Sequence, residues 1–248
     1  MRAVVVGASS GLGRCIGIGL AGRGAQVALL ARRKERLIDA AAEAGNGAVA
    51  IQCDVTDAAS CNDAIAQAAQ AMGGIDAVIY ATGIGPLAHI EDLDAATWRL
   101  TFDTNVTGAS LVTAAALPHL KASSGVAMYL SSVSTSMTPP WPGLAAYIVS
   151  KAALDKLVET WRAEHPAVGF TRLIVGDCGG GEGDAMSEFA NGWDQTLAME
   201  FATQWMEQKL ISGVLMDVEH VIGVVDGVLQ AGASLSVPSV TVAPRRAS

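Results

Sequence analysis

The stretch GASSGLG, residues 7–13, stands between a short apolar run and a segment rich in alanine, glycine and leucine. Gly11 and Gly13 lack a Cβ atom, so the chain can turn sharply there and a pyrophosphate can approach the backbone. A helix that begins at this turn presents free N–H groups and a favourable dipole to the anion. Because the motif opens a strand–turn–helix unit at the start of the chain, it predicts a dinucleotide-binding fold.

The same residues also match G-x-S-x-G, the motif that carries the nucleophilic serine of α/β-hydrolases. That serine usually follows several strands, one of which supplies oxyanion donors. Only one apolar run precedes Ser9 here. We therefore reject the hydrolase interpretation.

Short apolar runs alternate with segments of helical periodicity along the rest of the chain. The predicted strands are 2–6, 26–31, 48–52, 77–81, 125–131, 170–175 and 236–242. The predicted helices are 12–23, 34–44, 57–72, 95–117, 144–165 and 218–229. Apolar strands joined by helices indicate a parallel sheet covered on both faces, with right-handed crossovers. We predict an α/β fold: one Rossmann-type, doubly wound domain over residues 1–248, with a seven-stranded parallel sheet flanked by helices.

The alternation lapses between residues 176 and 212. The glycine-rich stretch 179–183 favours no regular element, and the residues after it include Phe189, Trp193, Phe201 and Trp205. Long excursions in compact domains are usually functional, so we predict a substrate lid at about residues 179–212. The alternative is a surface excursion whose aromatic side chains pack on the body of the domain.

Composition and charge exclude several classes of function. Hydrophobic residues make up 51% of the 248 residues, charged residues 16%, and the formal net charge is −8. An acidic chain is a poor partner for nucleic acid, and the absence of a run of about 18 apolar residues argues against a membrane span. We see no signal-peptide pattern and expect a cytoplasmic protein with four reduced cysteines. The histidines and cysteines show no metal-ligand spacing, so no metal site is predicted.

Two arginines indicate which cofactor is bound. About twenty residues beyond the glycine turn, a dinucleotide fold places either an acid on the ribose 2′-hydroxyl or an arginine on a 2′-phosphate. Arg32 and Arg33 stand there without a carboxylate, and Arg14 adds positive charge nearby. This favours NADP(H) over NAD(H), the alternative being a solvated basic start of a helix. Asp54 either accepts a hydrogen bond from the adenine amino group or caps a helix together with Asp57.

Tyr147 and Lys151 form a candidate catalytic pair. They lie four residues apart in a predicted helix and therefore share one face. A phenol has a pKa near 10, and a neighbouring ammonium favours the phenolate and lowers that pKa. Such a tyrosine can protonate a carbonyl oxygen as hydride arrives, or take the alcohol proton in the reverse reaction.

With these motifs the chain resembles the short-chain dehydrogenase/reductase family over essentially its full length. The resemblance rests on motifs in the family's order: residues 7–13, Asp54, NVTG at 105–108, LSS at 130–132 and YIVSK at 147–151. It implies that Tyr147 is the acid/base and that Lys151 lowers its pKa and holds the nicotinamide ribose. It also implies that a serine positions the substrate carbonyl and that Asn105 anchors a proton-relay water.

The resemblance further implies the cofactor contacts and the assembly. The expected cofactor-binding residues are Gly7, Ser9, Ser10, Gly11, Leu12, Gly13, Arg32, Arg33, Asp54, Val55, Ala81, Thr82, Gly83, Tyr147 and Lys151. Members of the family commonly form dimers or tetramers through the two long helices that follow the fourth and fifth strands. We therefore expect a homodimer or homotetramer.

The chain departs from the family pattern at three places. The family's N-N-A-G after the fourth strand is YATG at residues 80–83, and its P-G pair after the sixth strand is GDC at 176–178. The catalytic serine is also ambiguous. Alignment of the strand end selects Ser132, whereas the commoner spacing before the tyrosine selects Ser134, and we choose Ser132.

The combined prediction is an NADP(H)-dependent oxidoreductase that interconverts a ketone or aldehyde with an alcohol. Trp141, Pro142, Leu144 and the aromatic residues after Gly183 suggest a small-molecule substrate that is largely apolar. The alternative is a non-catalytic dinucleotide-binding protein that serves as a redox sensor or scaffold.

Overall fold

The structure is a computed structural model, and it describes residues 1–181, 183 and 186–245. Its strands are β1 (Arg2–Val6), β2 (Gln26–Ala31), β3 (Val49–Gln52), β4 (Ala77–Tyr80), β5 (Val126–Ser132), β6 (Gly169–Val175) and β7 (Ser239–Val242). Its α-helices are α1 (Gly11–Gly22), α2 (Lys34–Ala44), α3 (Ala58–Met72), α4 (Ala95–Phe102), α5 (Gly108–Ser123), α6 (Ala145–Glu164), α7 (Gln195–Glu207) and α8 (Val218–Leu229).

The seven strands form one parallel sheet in the order β3-β2-β1-β4-β5-β6-β7, which confirms the predicted fold class. The chain runs outward in one direction from β1 to β3 and in the other from β4 to β7. In such sheets a crevice opens at the carboxyl ends of the strands where the order reverses, and ligands bind there. The glycine turn follows β1 and therefore lies at this crevice.

Helices cover both faces of the sheet, which explains why the strands are apolar throughout rather than alternating. On β1, Val4 and Val6 pack with residues of α3, α5 and α6. Ala3 and Val5 point to the opposite face and pack with residues of α1, α2 and α8. Each face thus has its own core, and the sheet holds the ends of β1, β4 and β5 side by side.

The helix predicted over residues 95–117 is wrong as a single element. The structure has two α-helices there, α4 and α5, joined by a π-helical turn over Asp103–Thr107. An extra residue in such a turn breaks the regular hydrogen-bond ladder, and these bulges are frequent at functional sites. Asn105 lies inside the turn, and α5 runs on to Ser123 although it contains Pro118.

The segment predicted as a lid contains α7, whose first turn is capped by the Asp194 carboxylate accepting from the Leu197 amide at 2.8 Å. Phe201 and Trp205 of α7 are buried and pack with Leu144 and Ile148 of α6. Residues 182, 184 and 185 of the predicted lid lie outside the described residues. Within the described part of the chain, no helix is both long and apolar enough to cross a membrane.

Candidate active site

The glycine turn is packed so closely that side chains would not fit in it. Gly7 has φ +90°, and a Cβ built on it would lie 2.8 Å from the Thr82 amide nitrogen, just beyond β4. A Cβ on Gly13 would lie 2.3 Å from the Gly7 carbonyl oxygen. Both distances are far below van der Waals contact, so the turn needs glycine at these two positions. The turn leaves the start of α1 facing the crevice.

A cleft of about 1080 Å³ occupies the crevice. All the residues expected to contact the cofactor line it: Gly7, Ser9, Ser10, Gly11, Leu12, Gly13, Arg32, Arg33, Asp54, Val55, Ala81, Thr82, Gly83, Tyr147 and Lys151. Ser132 and Ser134 line the same cleft. The structure therefore brings the sequence-predicted residues to one place, although they come from opposite halves of the sheet.

Ser132 lies at the end of β5, and its side chain acts to lower the pKa of Tyr147. Its Oγ is also 2.8 Å from Ser134 Oγ and accepts the Ser134 amide at 3.2 Å. Lys151 is one turn beyond Tyr147 on α6, and its ammonium donates to the Leu130 carbonyl oxygen at 2.7 Å. Both serines therefore line the cleft, and Ser134 is hydrogen-bonded to Ser132.

The expected lowering of the Tyr147 pKa is wrong for this structure. Burial raises the pKa of Tyr147 to about 12, although the hydrogen bond with Ser132 acts in the opposite direction. The Lys151 ammonium lies 5.9 Å from the centroid of the tyrosine ring, and its own hydrogen bond goes to the strand. Burial also lowers the pKa of Lys151 to about 8, while the charge of Asp155 acts to raise it. Removal from water is thus the largest cause of both shifts.

Asn105 lies beneath the cleft and is fully buried. Its amide nitrogen donates to the Ile84 carbonyl oxygen and to Ser150 Oγ, both at 2.9 Å, and its Oδ1 accepts the Ile84 amide at 2.9 Å. A Cβ on Gly83 would lie 3.3 Å from Lys151 Nζ and 3.5 Å from Asn105 Oδ1. Asn105 therefore fixes the loop after β4 beside Lys151.

Two of the departures from the family pattern have identifiable structural roles. The Tyr80 hydroxyl, which is buried, donates to the Thr104 carbonyl oxygen at 2.6 Å and so ties β4 to the π-helical turn. Asp177 accepts hydrogen bonds from the amide and the hydroxyl of Ser212, both at 2.7 Å. The contact between Asp177 and Ser212 joins the two ends of the excursion that follows β6.

Arg33 reaches from the start of α2 to the glycine turn. Its Nη2 donates to Ser9 Oγ at 2.7 Å and to Ser10 Oγ at 2.8 Å. The suggestion that Arg14 adds charge to this place is wrong, because its guanidinium donates to Glu43 at 2.7 Å and to the Arg36 carbonyl oxygen at 3.1 Å. The positive charge of Arg14 is thus paired with Glu43 of α2.

The structure distinguishes between the two roles considered for Asp54, helix capping and ligand binding. Asp57 alone caps α3, accepting the amides of Ala59 and Ser60. Asp54 instead accepts the Thr56 amide at 3.0 Å and the Thr56 hydroxyl at 2.8 Å, and these bonds lower the pKa of its carboxyl group. The carboxylate lines the cleft and is available to a ligand on that side.

Residues 186–193 lie against the cleft and include groups that sequence reasoning missed. The Met186 carbonyl oxygen accepts the Gly11 amide at 3.2 Å, at the start of α1. Glu188 forms ion pairs with Arg33 and Arg36. Burial acts to raise the pKa of Glu188, but hydrogen bonds and the two positive charges lower it overall. More than 150 residues separate Glu188 from the two arginines, so no local pattern could have paired them.

Aromatic side chains form one wall of the cleft, next to the tyrosine. The Phe189 ring packs edge-on against the Tyr147 ring with centroids 4.8 Å apart, and it also contacts the Trp193 ring at 5.5 Å. Trp193 Nε1 donates to the Gly85 carbonyl oxygen at 2.8 Å. Trp141 lies 5.6 Å from the Trp205 ring, and Leu144 is buried beside them. The space in front of the tyrosine is therefore mainly apolar.

Among the described residues, no group of three or more His, Cys, Asp or Glu side chains is arranged to hold a metal ion. The polar residues that line the cleft include hydroxyl-bearing residues, two arginines, Lys151, Asn191 and three acids, Asp54, Asp177 and Glu188. This donor set suits a phosphorylated organic ligand.

Comparison with known proteins gives consistent matches. A family model described as short chain dehydrogenase matches residues 1–184. The 11-beta-hydroxysteroid dehydrogenase A of Sesamum indicum is 34% identical over 179 residues, which cover 70% of this chain and 51% of that protein. Matches to three curated relatives span 51%, 55% and 58% of their lengths, so the chain covers little more than half of each.

Solved structures share the fold over nearly the whole chain. A dehydrogenase/reductase from Sinorhizobium meliloti has a TM-score of 0.79 at 26% identity, covering 97% of this chain and 92% of the other. An alcohol dehydrogenase from the archaeon Thermococcus sibiricus, complexed with 5-hydroxy-NADP, has a TM-score of 0.80 at 23% identity, covering 97% and 94%. At that identity the second likeness concerns the fold alone.

Proposed function

The chain belongs to the short-chain dehydrogenase/reductase family, and from this premise we propose that it is an NADP(H)-dependent oxidoreductase that interconverts a ketone or aldehyde with an alcohol. One observation carries the proposal. Tyr147, Ser132 and Lys151, which is one helical turn beyond the tyrosine, line one cleft together with the glycine turn. A proton donor, a carbonyl-binding hydroxyl and a dinucleotide-binding turn are thus within one cavity.

The residues of the cleft fit a dinucleotide phosphate. The start of α1 offers backbone amides where Gly7 and Gly13 leave no room for side chains, which suits a pyrophosphate. Arg33 beside Ser9 and Ser10 suits a 2′-phosphate, and Lys151 would hold the nicotinamide ribose. When bound, the nicotinamide supplies or accepts the hydride.

In this proposal Tyr147 is the general acid for reduction. Its raised pKa, about 12, keeps the hydroxyl protonated at neutral pH, so a proton is ready for the carbonyl oxygen that Ser132 polarises. Lys151, with a pKa of about 8, is mainly charged at neutral pH and stabilises the phenolate that proton donation leaves.

Asn105 is proposed as the anchor of the proton-relay water. Its Oδ1 accepts one hydrogen bond, from Ile84, and has a second lone pair for a water near Lys151. Its amide nitrogen is committed to Ile84 and Ser150, so the side chain cannot rotate without breaking those bonds.

We also propose that residues 179–212 act as a lid over a largely apolar small-molecule substrate. Phe189 and Trp193 place apolar rings next to Tyr147, and α7 packs on the Trp141–Leu144 side of the cleft. The assembly proposal is a homodimer or homotetramer formed through α4–α5 and α6. Sedimentation at micromolar concentration tests it, and a monomer alone would contradict it.

The experiment that tests the function is a panel of carbonyl compounds with NADPH, followed by the loss of NADPH absorbance. The panel pairs large apolar ketones and aldehydes with small polar ones. We expect turnover for members of the apolar set. Tight NADPH binding without turnover of any carbonyl or alcohol would contradict the enzyme proposal and favour the sensor or scaffold.

A further inference from the structure

Glu188 lies at the place where the proposed function needs a 2′-phosphate. Its carboxylate pairs with Arg33 Nη1 and with Arg36 Nη1. Arg33 is the residue whose other guanidinium nitrogens contact Ser9 and Ser10 of the glycine turn. Two arginines from the start of α2 therefore hold an anionic group of the chain itself, at the edge of the cleft.

The donors of Arg33 are divided between these partners. Nε and Nη2 point to the two serines, at 2.7–3.1 Å, and Nη1 points to Glu188. A 2′-phosphate that pairs with both arginines at the start of α2 would need Arg33 Nη1 and Arg36 Nη1 as donors. Glu188 holds those donors, so the phosphate and the carboxylate cannot both have them.

The segment around Glu188 also lies on the expected pyrophosphate position. The Gly11 amide, one of the free N–H groups at the start of α1, donates to the Met186 carbonyl oxygen at 3.2 Å. A Cβ on Gly11 would lie 3.4 Å from the Cα of Ser187. Residues 186–188 therefore present an acceptor to the amide and a carboxylate to the arginines, the same two kinds of group that a phosphorylated adenosine would present.

We propose that Glu188 is a specificity-determining residue, which competes with the 2′-phosphate of NADP(H) for Arg33 and Arg36 and so sets the preference of the chain between the two nicotinamide cofactors. The inference rests on the proposed function. Binding of NADP(H) breaks both ion pairs and moves residues 186–188 away from α1. NADH has no 2′-phosphate and does not take the donors of the arginine pair, so its affinity depends less on the Glu188 carboxylate than that of NADPH does.

The size of the effect follows from the exposure of the three side chains. Arg33, Arg36 and Glu188 are 41%, 38% and 28% exposed, so solvent screens the pairs, and the gain from removing the competitor is modest. We expect Glu188→Gln to tighten NADPH binding about fivefold, in the range of exposed ion pairs. This gain in NADPH affinity should become smaller as the salt concentration rises, because the Debye length falls from about 10 Å at 0.1 M to about 3 Å at 1 M.

The test titrates the unmodified chain and Glu188→Gln with NADPH, NADH and adenosine 2′,5′-bisphosphate by calorimetry. The matched control is Glu219→Gln, which removes an acid from an ion pair with Arg23 elsewhere on the surface. Glu188→Gln should tighten NADPH and the bisphosphate by about the same factor and tighten NADH less. Glu219→Gln should change none of the three, and thermal melting checks that both variants are folded.

The outcomes separate this inference from the proposed function. If the unmodified chain binds NADPH and Glu188→Gln leaves its affinity unchanged, or tightens NADPH and NADH equally, the inference is wrong and the proposed function stands. If the unmodified chain binds neither NADPH nor the bisphosphate, both are wrong. Hydrogen exchange supplies a second readout. Adenosine 2′,5′-bisphosphate should speed exchange at residues 186–188 of the unmodified chain, and slower exchange there would contradict the inference.

Discussion

The ring of Phe189 packs edge-on against the ring of Tyr147, with centroids 4.8 Å apart and planes at 68°. Phe189 belongs to the excursion after β6, and Tyr147 to the first turn of α6. The contact screens the tyrosine from water, and burial is the main reason that the pKa of Tyr147 is raised to about 12. The proposed lid and the proposed proton donor are thus in direct contact.

The first prediction concerns this contact. Phe189→Ala should raise the KM for a large apolar substrate about tenfold, because it removes an apolar ring of the cleft on which such a substrate would pack. Met199→Ala, on the exposed face of α7, is the matched control, because Met199 is 72% exposed. Steady-state kinetics with both variants measures the effect. An unchanged KM for Phe189→Ala would argue that the segment is a surface excursion.

The second prediction concerns the arginines. Arg32→Ala combined with Arg33→Ala should remove most of any preference for NADPH over NADH, because only Arg36 of the nearby arginines is left. Arg33→Ala alone should have the larger effect of the two single variants, since its guanidinium contacts the glycine turn. Fluorescence titration with each cofactor measures this, with Arg23→Ala as control. If the unmodified chain binds both cofactors equally, Arg32 and Arg33 do not select the cofactor.

The third prediction distinguishes the two serines. Ser132→Ala removes the hydroxyl that we propose to polarise the substrate carbonyl, so turnover should fall by roughly the 10²–10³-fold typical of one lost oxyanion-type donor. Ser134→Ala removes only the neighbour of that hydroxyl and should cost much less. The kcat values of the two variants, measured with the same substrate, give the comparison. A larger loss in Ser134→Ala would reverse the assignment.

The alternation of apolar strands and helices was enough to predict the sheet, because strand burial on both faces leaves an unbroken apolar run. It was not enough to predict the break between α4 and α5. Residues 103–107 contain neither glycine nor proline, and the turn is held by contacts from other elements, such as the Tyr80 hydroxyl on the Thr104 carbonyl oxygen. Such contacts have no local signal in the sequence.

The candidate site, like the fold, was predicted from the sequence only in part. The sequence motifs identified the residues that surround Tyr147. All of these residues line one cleft except Asn105, which is buried. The pKa of Tyr147 was wrongly anticipated because the spacing of Tyr147 and Lys151 reports their proximity and says nothing of burial. Glu188 was missed because its partners, Arg33 and Arg36, are brought to it by the tertiary fold.

The fourth prediction concerns stability and pH. The pKa of Lys151 is about 8 in the folded chain and near 10.5 when unfolded, so between these values the unfolded chain binds more protons. The free energy of unfolding should therefore rise with pH across this window, by up to about 3 kcal/mol from this group. Tyr147 acts in the opposite sense, but above pH 10, where the unfolded chain loses the phenol proton first.

Urea unfolding of the unmodified chain and of Lys151→Met, at intervals from pH 8 to 10, measures this contribution. The free energy of unfolding is plotted against pH for both proteins. The difference between the two slopes is the contribution of Lys151, because both proteins share the other titrating groups. Lys156→Met is the control, since that side chain is 77% exposed. Parallel pH curves for the unmodified chain and Lys151→Met would show that Lys151 titrates normally.

The central claim is that Tyr147 supplies the proton, and Tyr147→Phe tests it most directly. The substitution keeps the ring and its packing on Phe189 but removes the hydroxyl. NADPH affinity should stay close to that of the unmodified chain, because the glycine turn and Arg33 are intact. The kcat for a carbonyl substrate should fall by ~10²–10⁴-fold, the contribution of general acid–base catalysis. A Tyr147→Phe protein that binds NADPH and retains near-normal kcat would contradict the account.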